Sequence, residues 1–578
     1  MARLTRLFLV VAAAGLCHAS AQSPLMAVFG PHLDPASGAG ASLGAVASEA
    51  SECTHIGRDL LARGGNAVDA LVGTTFCVGV VAMYHSGIGG GGFALVRDHD
   101  GTYEAVDFRE TAPAAAHEEM YQGNVGGSLV GGLAVAVPGE VRGLEYIHNK
   151  YGVLPWKTVL QGAIHVARDG FQVSSDLVRS LQKSVGAVRH SFVVRDPSFA
   201  QDFAPNGILL GQGDVMTRKR YANTLEAIAN QGADAFYHGP LAHAMIETIQ
   251  ASNGTMTLQD LANYSIISRP VRRIRFRDVD IFTVGAPASG AVSLSILKTL
   301  EQYSLDGSDT RDANLTLHRF TEAMRFGYAA RTDLADPDFV HGVRAAEERL
   351  LDDDYARLVR SLISDDHTLP VDAYGPRREF TSSSHGTSHI VAADRSGMAV
   401  SLTSTINLVM GAQLMEPASG IILNNEMNDF SIPGVPNAFG FQPSPQNYIY
   451  PGKRPLSSIT PVILARPHAG PLLAVLGAAG GSRILSATTF ALVLLVDGAL
   501  SMAQALRAPR LHDQLMPNTV LLERGFDGPA AAALAQRGHN VSWTVQNLSA
   551  LQGIACLPDG SFEAVGEPRQ SNSKGLTL

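Results

Sequence analysis

At His385-Gly386-Thr387-Ser388-His389 the chain sets a threonine directly after a glycine, at the head of two short β-favouring runs at 390–393 and 398–402. A Gly–Thr bond in that position is suited to one particular chemistry. Once the bond is cut, the threonine becomes an N-terminus whose hydroxyl can attack while its own α-amine takes the proton. Between the runs, Asp394-Arg395-Ser396-Gly397 is a turn-forming cluster, so the segment reads as a hairpin. A turn centred near Ser396 sets Thr387 opposite Thr405, each nine residues from the centre, where a second hydroxyl could orient the nucleophile or its amine. The same letters also describe a Ser/Thr-rich surface hairpin, because short motifs carry many false positives.

Other chemistries fit less well. His385 and His389 are four apart, as two zinc ligands on a helix would be, but the zincin pattern needs Glu at 386 and this chain has Gly in a β-rich context. No G-x-S-x-G serine accompanies the site. The glycine run Ser86 to Phe93 (SGIGGGGF) has no following Lys-Ser, which argues against phosphate binding and for close backbone packing.

The elements that must position the hairpin follow from pattern. Residues 45–84 read as two apolar helices separated by Gly64-Gly65, with Asn66 as the second helix's cap and Asp69 three residues on. Strand-like runs follow at 93–96 and 104–108, then a Pro138-Gly139 turn and a helix over about 140–151. The stretch 155–365 reads as mainly helical, with an aromatic-rich helix over 317–331, and strands return after Thr387, at 461–464 and 472–476. Helical and β stretches segregated in this way predict a layered α+β architecture.

The chain has 578 residues, a net charge of −9 and no basic stripe, which leaves nucleic-acid binding without electrostatic support and makes small molecules the expected partners. Arg3 and Arg6, the apolar run 7–17 and Ala19-Ser20-Ala21 match a secretory signal over residues 1–21; an uncleaved membrane anchor is the alternative. Secretion to the cell surface or medium suits the sequons at Asn253, Asn263, Asn314, Asn540 and Asn547. In that oxidising compartment Cys53 and Cys77 are the expected disulfide, with Cys556 left over.

Nearly the whole chain from about Gly44 resembles the γ-glutamyltransferases (γ-glutamyltranspeptidases), which are N-terminal-nucleophile hydrolases. The likeness rests on many motifs in one order: IGRDLLARGGNAVDA (56–70), SGIGGGGF (86–93), DFRETAP (107–113), VPGEVRGLEYIHNKYGVLPW (137–156), GTSH (386–389), LTSTIN (402–407), LNNEMNDFS (423–431), PGKRPLSS (451–458) and GAAGGSRI (477–484). The resemblance implies a four-layer αββα sandwich and self-cleavage between Gly386 and Thr387. The large (22–386) and small (387–578) subunits would remain one intertwined heterodimer. It makes Thr387 the nucleophile and Thr405 its hydrogen-bonding neighbour. Gly480 and Gly481 would supply oxyanion-hole N–H groups, a task suited to residues without an obstructing side chain.

The implied donors are glutathione and related γ-glutamyl compounds, with water or an amino acid or dipeptide as acceptor and no metal or other cofactor. A γ-glutamyl group ends in a zwitterion. Arg109, Ser457 and Ser458 match the family's α-carboxylate side, since Arg can grip a carboxylate with two donors. Asn407, Glu426 and Asp429 match the α-ammonium side. Asn428 stands where many members carry a second aspartate. Two rivals share parts of this reading. An acylase of glutaryl or cephalosporin-type amides would not need the ammonium-binding acids, and a silent, uncut binding homologue would not need Thr387, Thr405 and the glycine pair together.

Overall fold

The computed structural model describes residues 42–185, 191–303, 313–375, 386–435, 443–468, 470–545 and 549–578. The signal-like segment, His385 and Asn547 lie outside these residues. Among the described residues no helix is long and apolar enough to cross a membrane.

Two antiparallel sheets form the centre. One runs in the order Lys574–Thr577, Gly44–Ser48, Gly386–Asp394, Ala399–Asn407, Gly91–Arg97, Tyr103–Phe108 and Ile267–Arg269. The other runs Phe562–Val565, Ala550–Cys556, Leu472–Ala479, Val462–Ala465, Val279–Val284 and Val271–Phe276. Strand alternation divides the apolar side chains between two cores. From the strand Gly386–Asp394, Val391 and Ala393 join Val475 and Leu476 of the second sheet, whereas Ile390 and Ala392 join Val68 and Val72 of the outer helices. Helices Ser51–Ala62, Ala67–Val81, Trp156–Asp169 and Lys219–Gln231 build that outer layer, and Gly290–Glu301, Ala313–Arg331 and Arg483–Val496 build the opposite one. This is the expected αββα order.

The hairpin pairs as the turn position requires: Thr405 lies opposite Thr387 and Ala399 opposite Ala393, with a register shift between Thr405 and Asn407. The glycine run is a packing device. A Cβ on Gly90 would lie 2.0 Å from the Thr405 carbonyl oxygen and one on Gly92 2.0 Å from that of Thr403, so only glycine lets this strand meet the hairpin. Asn66 and Asp69 form the expected capping box, and Cys53 is bonded to Cys77, leaving Cys556 free.

Two expectations need correction. Residues 44–48 form a strand before the first helix, and the stretch read as helical contains three strands between Ile267 and Val284. Arginines hid the second of these, Val271–Phe276, from pattern reading. In VRRIRF, Arg273 and Arg275 of the sheet-edge strand reach across to Asp280 on its neighbour, so a pairing strand carries a polar surface sequence.

Candidate active site

Thr387 is the second residue of a fully buried strand and shares its inward face with His389, whose ring lies over Gly477 of the second sheet. That neighbouring strand ends at Ala479, where Gly480 and Gly481 turn the chain into helix Arg483–Val496. Their φ values of 134° and 62° belong to conformations that favour glycine. The turn also places the glycine N–H groups at the positive end of a 14-residue helix. His389 is spent inside the core: Nδ1 bonds Thr403 Oγ1 at 2.9 Å, Nε2 bonds Ser401 Oγ at 3.2 Å, and burial holds its pKa down to about 3. It is unsuited to proton transfer near neutral pH.

The Thr405 hydroxyl donates to the carbonyl oxygen of Gly386 at 2.6 Å. The same oxygen of Thr405 accepts the Asn407 N–H at 2.7 Å, which leaves its proton committed to Gly386. Asn407 anchors this corner: its φ is 68°, its Nδ2 donates to the Asn425 carbonyl at 2.9 Å, and its buried Oδ1 has no hydrogen-bond partner.

Two pockets meet at Thr387. The smaller, of about 30 Å³, brings Thr387, Thr405 and Gly481 together with Arg109, Glu426, Asp429, Ser457 and Ser458. Gly480 lines the larger pocket, of about 530 Å³, and Asn407 sits behind the small one without lining it. Arg109 is buried and donates to Glu426 and to Asp429, so the groups expected on opposite sides of a zwitterion pair with each other. Burial works against the Arg109 charge, but Glu426, Asp429 and Glu110 outweigh it and hold the guanidinium above its ordinary pKa. Asn428 turns its amide to Ser128 Oγ at 2.8 Å.

Sequence reading missed three features. Glu110 lies 3.8 Å from Arg109 with neither carboxylate oxygen hydrogen-bonded, and burial lifts its pKa to about 8. It follows Arg109 directly in the RETAP run, and that adjacency was the available signal. Arg331 lines the small pocket, donates to Ser289 Oγ at 2.8 Å and is lowered to about 10 by burial. No local motif marks it. The third is the large pocket itself, built from segments far apart in sequence. Among the described residues one trio of possible metal ligands, His318, Glu322 and His539, groups its atoms within 4.8 Å. It lines neither pocket, and the two histidines bond each other at 2.8 Å.

A sequence model of the gamma-glutamyltranspeptidase family matches residues 53–576. The chain belongs to that family. Two fungal relatives lie close to it. The glutathione hydrolase proenzyme of Arthroderma benhamiae is 49% identical over 94% of both chains. The glutathione hydrolase of Aspergillus flavus is 45% identical over 92% of this chain and 89% of its own. Cephalosporin acylase from Bacillus halodurans superposes with a TM-score of 0.80 at 24% identity, covering 95% of this chain and 99% of that one, which is a likeness of fold. In this member of the family the threonine strand, the glycine turn and the Arg109 cluster meet at the small pocket.

Proposed function

We propose that this enzyme cuts itself between Gly386 and Thr387 and then acts as a glutathione hydrolase and γ-glutamyltransferase with Thr387 as nucleophile. The observation that carries the reading is the position of Thr387 at the junction of two pockets, beside the Gly480–Gly481 turn and with the adjoining carbonyl held by Thr405.

In the precursor, Thr387 Oγ attacks the Gly386 carbonyl carbon. The Thr405 hydroxyl polarises that carbonyl and steadies the charge that develops on its oxygen. An ester forms as the peptide C–N bond breaks, and water hydrolyses it to leave Thr387 with a free α-amine. The mature small subunit is then 387–578, with a large subunit ending at Gly386.

In the mature site, the γ-carbonyl of the donor meets Thr387 Oγ while the new α-amine accepts the hydroxyl proton. The N–H groups of Gly480 and Gly481 receive the oxyanion, and the amine product leaves with a proton. Water or an acceptor amine then attacks the γ-glutamyl ester and restores Thr387. The donor's zwitterion replaces the Arg109 pairs with equivalent ones: its α-carboxylate takes Arg109, Ser457 and Ser458, and its α-ammonium takes Glu426 and Asp429, with Asn407 fixing the floor. Because Arg109 is already paired with Glu426 and Asp429, the donor must part it from the two acids to bind. The same acids favour γ-glutamyl over glutaryl donors, which have no ammonium to offer them. The N-terminal segment directs the protein to the secretory pathway, where the Cys53–Cys77 bond is stable.

The test compares release of a chromogenic aniline from γ-glutamyl and glutaryl anilides by the wild type and by Thr387→Ala. Release from the γ-glutamyl compound by the wild type alone supports the reading. Faster release from the glutaryl compound would favour an acylase, and an uncut, inactive wild type would favour a silent homologue.

A further inference from the structure

The larger pocket carries a histidine–carboxylate pair that the reaction above does not use. His85 lines this pocket together with Thr387 and Gly480. Its backbone is tied to the catalytic hairpin, since the Ile406 N–H donates to the His85 carbonyl at 3.1 Å. The ring is fixed as well: Nδ1 lies 3.1 Å from Glu49 Oε2. A carboxylate only accepts, so Nδ1 carries the proton and the neutral ring keeps its lone pair on Nε2. Among the described residues the ring's hydrogen bond is the one at Nδ1.

Glu49 is itself held in place. It is 6% exposed, it accepts from Ser388, the residue after the nucleophile, and it accepts from Gln570 Nε2 at 3.3 Å. Ser86 Oγ donates to Ser388 Oγ at 2.9 Å and closes the network. The remaining charged groups of the pocket are Asp176 and Arg179, 3.2 Å apart on helix Ser175–Val185, and Arg483 at the first turn of the helix after the glycine pair. The pocket therefore offers an oriented base beside the nucleophile and two guanidinium groups further along, in a volume of about 530 Å³.

Building on the transferase reading, we propose that this pocket receives the acceptor, an α-amino acid or dipeptide in its zwitterionic form, and that His85, oriented by Glu49, takes the proton from its ammonium. An α-ammonium with a pKa near 8 is mostly charged at neutral pH and cannot attack. Transfer of one proton to His85 Nε2 frees the amine lone pair, which forms the new amide bond at the γ-glutamyl carbonyl. The ester C–Oγ bond breaks, Thr387 Oγ recovers a proton from the attacking nitrogen through the Thr387 α-amine, and His85 returns its proton to solvent. The acceptor's carboxylate meets Arg483 and Arg179. Attack by water needs no such deprotonation of an ammonium, so His85 governs the partition between acceptor and water.

The experiment measures transfer of the γ-glutamyl group to glycylglycine and its hydrolysis in the same reaction, for the self-cleaved wild type and for His85→Gln. Self-cleavage reports that the variant is folded, and His85→Asn is the alternative replacement if it is not. The expected result is a transfer-to-hydrolysis ratio at least tenfold lower at pH 7, with the deficit shrinking as pH rises past the acceptor's pKa. With hydroxylamine, which is uncharged at neutral pH, the two proteins should give similar ratios. An unchanged glycylglycine ratio, or an equal deficit with hydroxylamine, would overturn the role of His85 while leaving the transferase reading intact. A wild type that forms no γ-glutamyl product would overturn both.

Discussion

At the scale of single residues, two hydrogen bonds give Thr405 a defined task, because its proton goes to Gly386 O and its lone pair to the Asn407 N–H. Thr405→Ala should therefore slow self-cleavage by roughly 100- to 1,000-fold, the loss of one charge-stabilising donor, while Thr405→Ser should retain most of the rate; the decay of the intact chain on a denaturing gel measures this. Asp429→Ala should raise KM for a γ-glutamyl anilide by about 10- to 100-fold, in line with about 1.5–3 kcal/mol for a hydrogen bond to a charged group. Glutaryl anilide, with no ammonium, should show no such loss. These residues were legible because each sits in a short motif of its own. Glu110 and Arg331 were not, since what makes them part of the site is burial beside Arg109 and Thr387, a property of tertiary packing.

Elements explain how the residues reach one another. The hairpin register could be read from the Asp394–Gly397 turn because strand pairing is fixed once the turn is placed. The strand Val271–Phe276 could not, because an edge strand carrying arginines has the polarity of a helix surface. Gly90→Ala should disrupt the hairpin from outside, since its Cβ has no room beside the Thr405 carbonyl; the expected outcome is lost self-cleavage with a lowered melting temperature. Glu140, first residue of helix Glu140–Tyr151, is buried beneath the same hairpin and accepts from Ser404. Burial raises its pKa from 4.5 to about 7. The folded state thus holds a proton that the unfolded chain releases at lower pH, so this contribution is full below about pH 4.5 and disappears as pH rises through 7. Wild type should lose on the order of 3 kcal/mol more than Glu140→Gln between pH 5 and pH 8, as read from denaturant unfolding of both proteins at the two pH values.

For the whole molecule, the proposed cut at Gly386 would divide the chain without dividing the fold. The first sheet sets Gly44–Ser48 between Lys574–Thr577 and Gly386–Asp394, and Gly91–Arg97 against Ala399–Asn407, while the second joins Val279–Val284 to Val462–Ala465. Strands from both sides of the cut share each sheet, so the two fragments should travel as one species under native conditions and part only in denaturant. The Cys53–Cys77 bond, closing a separation of 24 residues, should contribute about 3 kcal/mol, seen as a lower melting temperature for Cys53→Ser/Cys77→Ser. The layered α+β class was legible from the segregation of helical and β stretches, and the αββα order only through the family resemblance. The large pocket was not, because it assembles Tyr84, Asp176, Leu408, Arg483 and Gln570 from across the whole length of the chain.

The most direct test of the account is intact-mass and fragment mass spectrometry of the wild type, quenched with acid during turnover of a γ-glutamyl donor. The expected spectrum contains a fragment beginning at Thr387 and, in part of the population, the same fragment carrying one γ-glutamyl group located on Thr387, with Thr387→Ala intact and unlabelled. A chain still joined through Gly386 and Thr387 while the donor is consumed, or an acyl group on any other residue, would contradict it.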